Sequence, residues 1–216
     1  MSDDDAKHRR DDLRLVVWDA TGHGSAPWQG ALTWSWRVGS ALYRAHPQAA
    51  VDAVFGARSW VDALAWLASV QPARRVREVQ FWGHGLFGRV FVGKEVLDEG
   101  SVRAGGPHHD DLLALRARLV DDDALLWLRT CSAFGGTRGH RFARALVDVV
   151  GCRVAGHTHV IGPLQSGLHS LRPGDAPGWS ATEGVRDGDE SRPALSSSPS
   201  APHTISCLHG AFPREW

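Results

Sequence analysis

Between Leu13 and Ile161 short apolar runs alternate with amphipathic stretches. Leu13–Asp19 (LRLVVWD), Val76–Trp82 (VREVQFW) and Ala124–Thr130 (ALLWLRT) are rich in Val, Leu, Phe and Trp. Gly or charged residues bound them, so each is predicted to be a buried strand. Val51–Phe55 reads as a weaker second strand and Arg153–Ile161 as the fifth. Helical segments fall between. Trp28–His46 follows the Gly-rich turn TGHGS and closes at Pro47. Ser59 is placed to cap a helix with Trp60, Leu64, Leu67 and Ala68 on one face. Asp110–Leu119 buries Leu112, Leu115 and Leu119 and carries an acidic pair at its positive end. His140–Val150 has the clearest period: Phe142, Ala145, Leu146, Val149 and Val150 face inward, and Arg141, Arg144 and Asp148 face water.

Alternation of this kind requires a mostly parallel sheet covered on both faces. The predicted fold is therefore an α/β sandwich of three layers. GRVFVGKEVL (Gly88–Leu97) reads as a small hairpin inserted after the third strand. Residues 1–12 form a charged head expected to be disordered, and 13–184 form the α/β domain. Residues 185–202 form a flexible linker, of which the Ser/Pro-rich Asp187–Pro202 has little to bury. Residues 203–216 regain Ile205, Leu208, Phe212 and Trp216 and are expected to dock back on the domain as a short strand.

Charge and composition mainly exclude. Basic and acidic residues balance at 24 each, which leaves no electrostatic footprint for nucleic acid or an anionic membrane. No apolar run approaches the roughly 20 residues of a membrane span. The start MSDDDAKHRRDD lacks the apolar core of a secretion signal, so a cytoplasmic protein is expected. Three cysteines fit a reducing compartment better than a disulfide scaffold.

The candidate chemistry sits where two of the strands end. Val76–Trp82 runs into Gly83-His84-Gly85, and Ala124–Thr130 runs into Cys131. In an open parallel sheet, function collects beyond the carboxyl ends of the strands. An imidazole beside a thiol can lower its pKa or hold its proton, so Cys131 is expected to titrate below an ordinary thiol. Gly85 and the amide of Cys131 are candidate donors for the oxyanion formed on an attacked carbonyl.

An apolar strand closing in His-Gly, followed by another closing in a small residue and Cys, resembles the caspase–gingipain–legumain superfamily of cysteine peptidases. FWGHGLFGRVFVG and LLWLRTCSAFGG carry the likeness, which looks closest to bacterial caspase-like domains and spans Leu13–Gly162. His84 and Cys131 lie 47 positions apart, near the separation of about 50 known for caspases. TCSAFGG departs from the caspase QACRG signature. The resemblance implies a sheet in the order 2-1-3-4-5, with a possible sixth strand. It further implies a His84/Cys131 dyad with Gly85 in the oxyanion hole, acting as an endopeptidase on a protein or peptide without a cofactor. Such peptidases select the side chain before the cut bond. Asp19, ending the first strand beside His84, could choose Arg or Lys there, although Asp before a Gly-rich turn commonly caps its own backbone.

Rival readings attach to other residues. His157 and His159 would point to one face of a strand and, with Cys131 and His84 as a fourth, offer ligands for a hydrolytic zinc centre. A serine hydrolase would need a GxSxG elbow, which is absent. A binding module could keep the fold and lack the chemistry. Cys152 and Cys207 read as structural, His23 as part of a turn, His108 and His109 as solvated, and Trp82 and Trp127 as core.

Overall fold

The structure is a computed structural model that describes residues 12–22, 29–45 and 51–213. His23 and nearly all of the charged head lie outside the described residues.

A single six-stranded sheet organises the chain. Its strands are β1 (Leu13–Asp19), β2 (Ala53–Ala57), β3 (Val76–Trp82), β7 (Leu125–Arg129), β8 (Arg153–His157) and β10 (Leu168–Leu171). Their order is β2-β1-β3-β7-β8-β10, and all pairings are parallel except that of β10 with β8. The order 2-1-3-4-5 of the first five predicted strands is therefore observed. The sixth place is taken by antiparallel β10. The C-terminal segment instead makes a two-residue strand, β11 (Ile205–Ser206), paired with β9 (Leu164–Gln165) outside the main sheet.

Helices cover the sheet from both sides. α1 (Gln29–Ala45) follows β1, and α2 (Trp60–Ser69) follows β2, with the Ser59 hydroxyl accepting the Asp62 amide at 2.9 Å as predicted. After β3 comes an antiparallel meander of β4 (His84–Leu86), β5 (Arg89–Val92) and β6 (Glu95–Asp98), one strand more than the predicted hairpin. The short α3 (Glu99–Val102) and α4 (His109–Arg116) lead to β7, and α5 (Gly136–Val150) leads to β8. α5 begins a turn earlier than its period suggested. His108, expected to be solvated, is buried at the start of α4.

Alternation along the strands sorts side chains to two different faces. Leu15, Val17, Val79, Phe81, Leu126 and Leu128 join α2, α4 and α5 in one large apolar cluster. The opposite face carries Val16 and Trp82 under Tyr43 and Trp36 of α1. Beside them Trp127 packs with Ala155, Leu168 and Ile205 from the C-terminal segment.

Asp187–Pro202 lies against the domain and is hydrogen bonded to it. The Val160 amide donates to the Leu195 carbonyl at 2.9 Å and the Ser197 amide to the Val160 carbonyl at 2.9 Å. Ala194 is buried with Phe87 and Val185, so this stretch buries more than its composition suggested. No helix among the described residues is long and apolar enough to cross a membrane.

Candidate active site

Parallel neighbours β3 and β7 end side by side, with Trp82 in register with Arg129. Extending each strand by two residues reaches His84 and Cys131, and both line one cavity of about 390 Å³. That volume falls in the range of small-ligand and peptide side-chain sites. Two local features shape these ends. Ser132 takes a left-handed backbone (φ 45°) directly after Cys131, and its amide donates to the His159 carbonyl at 2.9 Å, so the chain turns sharply at the thiol. On the other side, Gly85 packs against the Thr130–Cys131 backbone. A Cβ at Gly85 would stand 2.8 Å from Thr130 Oγ1 and nearer still to the Cys131 carbonyl oxygen. Glycine is required there by close approach between the two strand ends.

The pair rests uncharged. Burial pushes the Cys131 thiol up, a shift the neighbouring Ile161 carbonyl (Sγ···O 3.9 Å) only partly opposes. Burial pushes His84 down, partly offset by the charge of Asp19. The expectation of a thiol below its ordinary range is thus reversed, because desolvation disfavours the thiolate. His84 Nε2 is buried without a hydrogen-bond partner among the described residues, and the ring meets Trp36 edge-on at 5.0 Å. An unpartnered imidazole nitrogen in a cavity shared with a thiol is free to take a proton.

Asp19 is 1 % exposed and faces its own turn. It accepts from the Thr21 amide (2.9 Å), the Thr21 hydroxyl (2.6 Å) and the Gly93 amide (3.3 Å), and it does not line the cavity. The structure thus gives it the backbone-capping role, and among the described residues no carboxylate lines the cavity.

The three residues of the zinc reading are not brought together. His157 is wholly buried, in contact with the Ser166 carbonyl through Nδ1 (3.2 Å) and pushed down to about 3 by burial and the nearby Arg129 charge. His159 turns toward Thr158, whose hydroxyl lies 2.9 Å from its Nδ1 and itself donates to Glu183. Among the described residues no group of three His, Cys, Asp or Glu side chains could hold a metal ion.

Several cavity residues escaped the sequence reading. Trp36, Gly39 and Tyr43 come from α1, at the i, i+3, i+7 spacing of a single helix face. Cys207 and Leu208 come from the C-terminal segment, so Cys207 borders the site rather than an apolar core. Trp82 is core and cavity wall at once. Arg129, which the sequence offered only as an alternative specificity residue near Cys131, proves to be part of the cavity wall. Only 4 % exposed, it donates to Gln165 Oε1 (2.9 Å), the Tyr43 hydroxyl (3.0 Å), Gln80 Oε1 (3.3 Å) and the carbonyls of Cys207 (2.9 Å) and His209 (3.3 Å). Its guanidinium also packs over the rings of Trp127, Trp82 and Tyr43. The visible signal was an Arg inside an otherwise apolar strand, at alternate position to Cys131. No known family model matches the chain, and no curated protein matches it in sequence.

Proposed function

We propose that the protein is a cysteine peptidase, of the caspase-like kind its two strand-end motifs resemble. The carrying observation is that residues 47 positions apart, an imidazole with an unpartnered nitrogen and a thiol, line one cavity at the ends of adjacent parallel strands. As the substrate binds, His84 takes the proton of Cys131, and the sulfur attacks the peptide carbonyl. The imidazolium then gives that proton to the leaving amine, and water hydrolyses the thioester with His84 as base. The amides of Gly85 and Cys131 are the proposed oxyanion donors. A neutral resting pair suits this sequence when the proton passes from Cys131 to His84 together with attack of the sulfur on the carbonyl.

The test is labelling of the native protein with an irreversible peptidyl chloromethyl ketone, followed by peptide mass spectrometry. Cys131 is expected to be the one modified thiol, and His84→Ala to slow its modification while the fold persists by circular dichroism. First labelling at Cys207, which borders the same cavity, or at buried Cys152 would overturn the assignment.

A further inference from the structure

The cavity walls are unlike those anticipated for a basic substrate. Trp36, Tyr43 and Trp82, which pack in one cluster, line it together with Ile161, Pro163 and Leu208. No carboxylate lines the cavity among the described residues. Arg129 is its one permanently charged lining residue, and that guanidinium is not open to a ligand. Its Nε, Nη1 and Nη2 donors all reach protein acceptors, and aromatic rings pack against it. A basic side chain entering here would meet that fixed positive charge and find no partner. An acidic side chain would have to displace the Cys207 and His209 carbonyls and strand them without a donor. An apolar side chain faces neither penalty and gains contact with these walls.

We propose that this cavity takes the side chain preceding the cut bond, and that it selects large apolar residues, Phe and Leu above all. The inference rests on the peptidase reading and names its substrate class. Gly39 lines the cavity where α1 packs closely on Trp82: a Cβ there would stand 3.1 Å from Cζ3 of the indole, so a larger side chain would crowd this wall. The C-terminal segment lines the cavity too. The Cys207 carbonyl accepts from both Arg129 and the Tyr43 hydroxyl (2.9 Å each), which holds the neighbouring Leu208, itself 79 % exposed, at the cavity rim.

Two experiments read this separately from catalysis. In the first, chloromethyl ketones that differ only in the residue before the warhead (Phe, Leu, Ala, Arg or Asp) compete for Cys131. Phe and Leu are expected to label it about tenfold to a hundredfold faster than Arg or Asp, the range one apolar pocket contact provides. Gly39→Leu should remove most of that advantage, as a filled pocket does. Arg or Asp probes reacting fastest, or an order unchanged by Gly39→Leu, would overturn the proposal.

The second experiment uses Cys131→Ser protein and no chemistry. N-acetyl-phenylalaninamide should shift the indole N–H resonances of Trp36 and Trp82, and N-acetyl-argininamide should leave them in place. If no probe labels Cys131 and the Phe amide still moves those signals, the peptidase reading falls and the apolar specificity stands as that of a binding module. If the Phe amide moves neither signal, or the Arg amide moves them more, the specificity is wrong whatever Cys131 does.

Discussion

The two faces of the central sheet are built from the same strands and differ in nearly everything else. On the face under α2, α4 and α5, strand side chains such as Val17, Phe81, Leu126 and Leu128 are buried in an apolar cluster. On the face under α1 and the C-terminal segment, a polar chain runs across the sheet. Arg14 donates to Glu78 (3.0 Å), Gln80 Nε2 to Glu78 Oε1 (2.7 Å), and both Trp82 (3.1 Å) and Arg129 (3.3 Å) to Gln80 Oε1. A buried polar network of this kind stabilises only while every member is satisfied. Here it also fixes the end of β7 that carries Cys131. The lesson is a division of labour: one face supplies burial free energy, and the other holds a cavity in a fixed shape at some cost in packing.

Substituting once on each face should separate the two roles. Cys131→Ala is expected to lower turnover by at least about 10³-fold, the scale on which lost nucleophiles act. It should leave the melting temperature nearly unchanged, because it removes one atom from a cavity wall. Leu128→Ala should do the reverse. It opens a void in the closed cluster and costs about 2–5 kcal/mol of stability. Scanning calorimetry beside a rate assay checks both. A Cys131→Ala protein that melts as low as Leu128→Ala would show that the thiol is core rather than site.

The same division governs what could be read without the structure. β1 and β3 keep their predicted bounds, because continuous apolar runs flanked by charge leave little freedom in where a buried strand ends. The sheet order came only with the family resemblance, since alternation by itself required no more than a mostly parallel, doubly covered sheet. β8 is shorter than predicted, since Thr158 and His159 are apolar-adjacent in sequence yet turn away toward Glu183. The three-residue β4 is too brief to announce itself, although it carries His84 and Gly85. The wall of the site was the least legible part. Trp36 and Tyr43 of α1 lie far in sequence from Leu208, and nothing local shows that Arg129 reaches to the carbonyls of Cys207 and His209. Asp19 misled because a strand-end carboxylate looks the same whether it faces a ligand or its own turn.

Gly85 offers a finer cut between the faces. Its missing Cβ lets β4 touch the Cys131 backbone, and Gly85→Ala would push the two strand ends apart by a fraction of an ångström. Small displacements of reacting groups cost rates on the order of 10²-fold. Turnover should fall by about that factor, with the loss in kcat rather than KM, since the apolar walls are untouched. An alanine variant with full activity would mean that the alignment of His84 and Cys131 does not depend on this contact.

The remaining effects are in pH, and two histidines carry them differently. His84 acts only as the neutral base, and its pKa is pushed below the ordinary 6.5 by burial. The midpoint of the acid limb of turnover should therefore lie below pH 6.5. Iodoacetamide modification of the free protein should still be rising at pH 9, because burial holds the Cys131 thiol up. A labelling curve that levels off near neutrality would instead reveal a preformed thiolate–imidazolium pair. His157 affects stability rather than rate. Folding lowers its pKa from 6.5 to about 3, so the folded state binds this proton less readily than the unfolded chain. Above pH 6.5 neither state is protonated and no stability is lost. As pH falls from 6.5 toward 3 the unfolded chain gains the proton first, and stability declines by up to about 1.4 kcal/mol per pH unit from this group. Denaturant titrations at pH 7, 6 and 5 should show that slope, and His157→Gln should flatten it. A slope that His157→Gln leaves intact would place the acid sensitivity elsewhere and show that His157 already takes up its proton in the folded state.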